Sequence, residues 1–231
     1  MADQKPALVV GANRGIGLGV VKEFLAKGWD VIATARKPAE ATELNALAAK
    51  SAGRVTVAKL EMNDPADHDA FASGLDKPID IALINAGVSG PEHRSASQVT
   101  EAETGSLMYT NVIAPIRLAR LLAPHVKAGT GVIGFTSSVM GSVALNGGGH
   151  ELYRASKAAL NSLARGLYGE LSGRRLTLLS LHPGWVRTGM GRSSAAVSVE
   201  DSARGLVEVM TAQQGKHHHV FIDYQGKEIT W

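Results

Sequence analysis

Tyr153 and Lys157 stand four residues apart in Tyr153-Arg-Ala-Ser-Lys157, inside a stretch with helical periodicity, so their side chains leave the same helix face. A phenol has a reference pKa of about 10 and is a poor acid–base near neutrality. A fixed ammonium one turn away favours the phenolate and lowers that pKa, which makes the pair a candidate proton donor with its tuner. Alone, the spacing is equally that of an ordinary helix face. Three further groups sit at the ends of predicted strands: Phe135-Thr-Ser-Ser138, Asn85-Ala86-Gly87 and Pro183-Gly184-Trp-Val186-Arg-Thr188. In open α/β sheets the carboxyl ends of the strands form the ligand-binding edge.

A fourth group lies at the start of the chain. Gly11-Ala-Asn13-Arg14-Gly15-Ile16-Gly17 follows the first predicted strand and opens the first helix. A strand, a glycine-rich turn and a helix bind phosphate through free backbone N–H groups and the positive helix end. The second strand ends in Thr34-Ala35-Arg36-Lys37, with no acid to accept from a ribose 2′-OH. Arg36 and Arg14 instead suit a 2′-phosphate, so NADP(H) is expected in preference to NAD(H).

The elements that carry these groups alternate along the whole chain. Strands are predicted at 7–10, 30–35, 55–60, 79–85, 132–136, 176–181 and 220–224. Helices are predicted at 15–27, 39–52, 65–73, 100–122, 151–171 and 198–211, with Pro115 a possible kink in the long one. Such alternation implies crossover connections. The expected fold is a single-domain, Rossmann-type, doubly wound α/β sheet of about seven mostly parallel strands, spanning residues 1–231.

Composition narrows the chemistry. The 231 residues contain no cysteine, which excludes disulfides, thiolate metal sites and cysteine nucleophiles. Net charge is +3 with scattered basic residues, so neither nucleic acid nor a membrane is expected as a partner. No apolar run reaches membrane length, and the first residues carry no signal-peptide pattern, so a cytoplasmic protein is expected.

A glycine loop, NAG, SS, YxxxK and PGxxxT in that order form a specific constellation. Over its whole length the sequence resembles the short-chain dehydrogenase/reductase family. The stretches Gly11–Gly19, Tyr153–Asn161, His182–Gly191 and Phe221–Trp231 are similar to the C-factor and Sniffer-like carbonyl reductase branch. The resemblance implies Tyr153 as general acid/base, Lys157 on the nicotinamide ribose and Ser138 holding the substrate oxygen, with Ser137 as the fallback hydroxyl. It implies that Asn111 holds a proton-relay water and that Asn85, Ala86 and Gly87 flank the adenosine ribose. Pro183, Gly184, Val186 and Thr188 would surround the carboxamide, and Glu61 falls where the family has an adenine-contacting Asp. It also implies a small carbonyl or alcohol substrate and a homodimer or homotetramer.

Three departures stand out. Val10 replaces a turn-bracing Thr, Glu61 is longer than Asp, and the Ser138–Tyr153 spacing is lengthened at Gly147–Gly149. Two rival readings use related chemistry: a nucleotide-binding regulator without turnover, and a sugar-nucleotide epimerase or dehydratase, which resembles longer chains. Met62 is either a backbone contact on the adenine side or a packing residue. Trp185 and Met190 are expected at the substrate mouth, and His150 either touches substrate or faces solvent. His217–His219 read as the turn before the last strand rather than a metal tract, and no metal is expected. His68 and His125 have no evident partners, and Trp231 is expected to pack near the C-terminus or in an oligomer contact. Residues 189–197 are too few for a closed cover, so an open pocket is expected.

Overall fold

Alternate residues of the first strand, Pro6–Val10 (β1), enter two different cores: Ala7 and Val9 one, Leu8 and Val10 the other. Ile81–Ile84 (β4) does the same, with Ile81 and Leu83 opposite Ala82 and Ile84. A strand covered on both faces has no polar side, which is why both read as continuous apolar runs. The computed structural model describes residues 5–188 and 195–231.

The remaining strands are Asp30–Ala35 (β2), Val55–Lys59 (β3), Val132–Thr136 (β5), Thr177–His182 (β6) and His219–Asp223 (β7). All seven form one sheet in the order β3-β2-β1-β4-β5-β6-β7, and every neighbouring pair is parallel. The order reverses between β1 and β4, which opens a crevice at the carboxyl edge, where ligands bind in such sheets.

Helices Gly15–Ala26 (α1), Thr42–Lys50 (α2) and Val199–Ala212 (α7) cover one face. There Val20, Val21 and Phe24 share a core with Leu206 and Met210. The other face is covered by Pro65–Ser73 (α3), Ala114–Leu122 (α5) and Glu151–Glu170 (α6), through Leu118, Leu122, Leu160 and Leu167. Side chains cap two of the helix starts: Asp64 accepts from Ala66 N–H, and Ser198 from Asp201 N–H.

Two predicted helices are divided. The stretch at 39–52 begins with a 3₁₀ turn, Pro38–Glu40, before α2. The stretch at 100–122 starts with a capping box between Thr100 and Glu103 and runs as Glu101–Met108 (α4). It then widens into a π-turn, Tyr109–Ile113, before α5 resumes. Pro115 accounts for the widening. It offers no N–H one turn back and its ring crowds the carbonyl of Asn111, so the helix opens there rather than bending.

After β7 the chain turns at Asp223–Lys227 and comes back antiparallel, with Ile229 N–H donating to the Phe221 carbonyl. Trp231 ends 4.9 Å from His219 and 5.4 Å from Phe221, ring centre to ring centre. The tail thus packs on the sheet of its own chain. Among the described residues, no helix is long and apolar enough to cross a membrane.

Candidate active site

The glycine loop is shaped by close backbone approach. Gly11 and Gly15 hold left-handed φ values of +78° and +56°, and a Cβ on Gly17 would collide with the Gly11 carbonyl. The first turn of α1 contains no acid, and Arg14 at its N-cap makes no side-chain cap bond. Nothing in that turn therefore competes with an incoming anion for the positive helix end. The hydroxyl missing at Val10 is supplied by the next strand. Thr34 Oγ1 accepts from Gly11 N–H at 3.3 Å, and its carbonyl accepts from Ala12 N–H at 2.8 Å. Asn13 and Arg14 lie exposed on the rim.

At the end of β2, Arg36 is 73 % exposed and its Nε lies 3.8 Å from Glu61 Oε2. Glu61 Oε1 accepts from Asn63 N–H, and Asp67 Oδ2 accepts from Glu61 N–H. The Met62 side chain packs in the core, while its carbonyl meets Nε2 of buried His68 at 3.0 Å. His68 thus has a backbone partner that the sequence did not disclose.

The catalytic candidates converge at the ends of β4 and β5. Lys157 is 4 % exposed, and its ammonium donates to the Thr136 carbonyl at 2.8 Å. It lies 5.6 Å from the centre of the Tyr153 ring. Ser138, extended at the end of β5, brings its hydroxyl beside Tyr153, where it opposes the effect of burial on the phenol. Ser137 faces the other way and donates to Asn161 Oδ1 at 2.7 Å. Asn161 lies one turn beyond Lys157 and also donates to the Gly141 carbonyl, so it clamps the turn that presents Ser138. Of the two serines, Ser138 is the one turned to the phenol.

Asn111 sits in the π-turn, fully buried. Its Oδ1 accepts from Val88 N–H at 2.8 Å, and its Nδ2 donates to the Val88 carbonyl and to Ser156 Oγ. Ser156 donates in turn to the Tyr153 carbonyl. The Asn111 amide is therefore spent on holding the loop after β4 against α6. Gly87 leaves room for both groups: a Cβ there would lie 3.3 Å from Asn111 Oδ1 and 3.5 Å from Lys157 Nζ.

Asn85 does not present its side chain outward. Its Nδ2 donates to the Gly11 carbonyl at 3.1 Å, and its Oδ1 accepts from Thr136 Oγ1 at 3.0 Å. Ala86 backs onto Gly11. Asn85 thus joins the glycine loop to the strand that carries the Lys157 acceptor. Thr34, Thr136, Ser156 and Asn161 were not foreseen. Their only trace in the sequence is a polar residue at a strand end or on the Lys157 face of α6.

Beyond β6, Pro183 accepts from Ser202 Oγ at 2.6 Å, and Gly184, with φ +85°, packs against Tyr224 and Val197. Val186 makes a parallel bridge to Val197, so Val197 lies beside 185–187. Thr188 is part-buried at this edge, and Trp185 is 57 % exposed. Met190 lies outside the described residues. His150 takes a left-handed conformation at the N-cap of α6 and accepts from Arg94 Nη1. His217, His218 and His219 turn to separate partners: the Gly129 carbonyl, Gln213 and Ser180.

Burial overrides the expected tuning of the phenol. Desolvation pushes Tyr153 up to about 12, against the opposing pull of the Ser138 hydrogen bond. Desolvation also pushes Lys157 down to about 8. Desolvation decides the state of the phenol, which stays protonated at neutral pH rather than tending to phenolate.

A model of short chain dehydrogenases matches residues 5–197. The chain belongs to the short-chain dehydrogenase family of oxidoreductases. Over 99 % of its length it is similar to all of a short-chain dehydrogenase/reductase from Burkholderia multivorans solved with bound NADP, at 36 % identity and a TM-score of 0.95. It is similar over the same share to all of a carbonyl reductase from Pseudomonas aeruginosa PAO1 in complex with NADP, at 42 % identity and a TM-score of 0.92. C-signal of Myxococcus xanthus is 36 % identical over 70 % of this chain and 99 % of its own. The chain falls in the carbonyl-reductase-like branch of the family.

The buried ammonium carries a cost that can be read directly. The folded value of Lys157 lies below the unfolded 10.5, so the unfolded chain binds the extra proton between about pH 8 and 10.5. Stability contributed by this site is lowest below pH 8 and rises through that window. Lys157→Met should therefore raise the stability of the cofactor-free protein at pH 7 by about 2 kcal/mol, after allowance for the donor lost at Thr136. The gap to wild type should close as pH rises towards 10.5. Urea unfolding at pH 7 and pH 10 measures both; a destabilised variant at pH 7 would show that the ammonium is held by favourable contacts instead.

Proposed function

We propose that the protein is an NADP(H)-dependent oxidoreductase that interconverts a carbonyl and an alcohol, with Tyr153 as the group that gives and takes the proton. The observation that carries this reading is the contact of the Ser138 hydroxyl with a phenol that burial keeps protonated, beside a buried ammonium. A protein that only binds nucleotide has no need of Asn111, Ser138, Tyr153 and Lys157 gathered in one place.

The residues present fit the cofactor. The Gly11–Gly17 turn and the open N-terminus of α1 suit a pyrophosphate, Arg14 and Arg36 a 2′-phosphate, and Lys157 the nicotinamide ribose. Pro183, Gly184, Val186 and Thr188 would border the carboxamide. When bound, NADPH supplies the hydride that reaches the carbonyl carbon. Ser138 and Tyr153 donate hydrogen bonds to the carbonyl oxygen as charge develops there, and Tyr153 transfers its proton to it. The Lys157 ammonium then faces the phenolate and stabilises it.

The described part of the substrate side is apolar. Val88, Val143, Leu145 and Trp185 are all exposed, in the segments that follow β4, β5 and β6. Val197 lies beside 185–187 in a parallel bridge, and most of the short segment expected to leave the pocket uncovered, residues 189–194, lies outside the described residues. Such a mouth favours bulky or activated carbonyls that bring their own apolar area. The likeness to C-signal keeps one rival in view, a regulator that binds nucleotide without turnover; wild-type protein inert towards a panel of ketones, aldehydes and quinones would favour it.

Three measurements test the reading. Tyr153→Phe should leave NADPH affinity nearly intact and lower kcat by about 10²-fold or more, the usual scale of lost acid catalysis; unimpaired turnover would sink the mechanism. Arg36→Asp should move the kcat/KM ratio from NADPH towards NADH, because a phosphate partner becomes a repelling charge; a wild type that already prefers NADH would contradict the assignment. Along a ladder of ketone sizes, kcat/KM should rise with apolar bulk, changing by about 10-fold or less for each methylene. A sharp optimum at one small ketone would mean a closed pocket.

A further inference from the structure

The corner assigned to the 2′-phosphate is less positive than its sequence suggests. Lys37 Nζ is paired with Glu40 at 2.9 Å, and Lys59 Nζ with Asp67 at 3.0 Å. Arg36 is paired with Glu61. Three of the cations at the ends of β2 and β3 thus already face a carboxylate, and Arg14 alone shows no acidic partner among the described residues.

Glu61 is also held in place. Its carboxylate accepts from Asn63 N–H at 3.2 Å, and its own N–H is fixed by Asp67. The register aligns the two strand ends, since Ala35 pairs with Lys59 and Leu60 N–H donates to the Ala35 carbonyl. Arg36 and Glu61 therefore follow directly from paired backbone.

We propose that Glu61 is a built-in competitor for the 2′-phosphate: its carboxylate occupies the Arg36 guanidinium and sets the preference for NADP(H) below what Arg14 and Arg36 alone would give. The inference rests on the proposed use of NADP(H). A phosphate arriving at Arg36 must displace the carboxylate or share the guanidinium with it, and two anions on one cation repel. A ribose 2′-OH meets no such opposition, because a carboxylate accepts hydrogen bonds from hydroxyls. Glu61 is thus a specificity-determining residue that weakens discrimination between the two cofactors, beside a β2 end that itself carries no acid to select NAD(H).

Binding without turnover tests this. The probes are 2′,5′-ADP and 5′-AMP, which differ only in the 2′-phosphate, titrated calorimetrically into wild type, Glu61→Gln, Glu61→Ala and Arg36→Ala. Gln keeps an oxygen for Asn63 N–H, so Glu61→Gln removes the charge and preserves the local fold. It should bind 2′,5′-ADP about three- to fivefold more tightly, the scale of one exposed charge interaction, with 5′-AMP unchanged or slightly weaker. Glu61→Ala should move in the same direction, and the gain should shrink at high salt. Unchanged or weaker 2′,5′-ADP binding in both Glu61 variants, with Arg36→Ala weakened, would overturn the proposal and leave the NADP(H) reading standing. If Arg36→Ala binds 2′,5′-ADP as tightly as wild type, the 2′-phosphate reading fails and the role of Glu61 falls with it.

Discussion

A buried ammonium is the constraint around which the carboxyl edge of this sheet is arranged. Burial disfavours the charged form of Lys157 strongly enough to bring it down to about 8, so each neighbour must either satisfy it or leave room for it. The Thr136 carbonyl satisfies one proton, and Gly87 leaves the room. Asn161, one turn along the same helix face, fixes the turn that brings Ser138 to the phenol. The positions of Ser138 and Tyr153 follow from where that ammonium has to be.

The same constraint reaches the other end of the crevice. Thr136 gives its carbonyl to Lys157 and its hydroxyl to Asn85, and Asn85 gives its amide to the Gly11 carbonyl. Gly11 is held in turn by Thr34. Three strands and the glycine turn are thus stitched by short polar side chains at their carboxyl ends. Two halves of a long ligand can be met by one rigid edge, with no loop left to fix the distance between them.

Much of this was legible in the sequence. The strands at 30–35 and 132–136 and the helix at 65–73 were predicted to their observed bounds, because each has strong turn or cap residues on both sides. The catalytic candidates were named from the order of their motifs together with the family resemblance that order carries. What was not legible depends on approach in space. Thr34 and Gly11, or Thr136 and Asn85, are far apart in the chain, and no local pattern pairs them. Ser137 and Ser138 are equivalent in sequence; only the orientation of β5 over α6 decides which hydroxyl meets the phenol. The sense of the Tyr153 shift was misjudged because spacing shows the ammonium but not the burial of both groups, which here outweighs it.

The π-turn at Tyr109–Ile113 stores part of the site as a count of residues rather than as a side chain. Each residue advances a regular helix by about 100°. The extra residue taken up in the wide turn therefore sets the faces of α4 and α5 out of step with one another. Loss of a single residue from this turn would rotate α4 against α5 and swing Asn111 away from Val88 and Ser156. Over evolutionary time such a segment should resist changes of length as firmly as it resists the loss of Asn111.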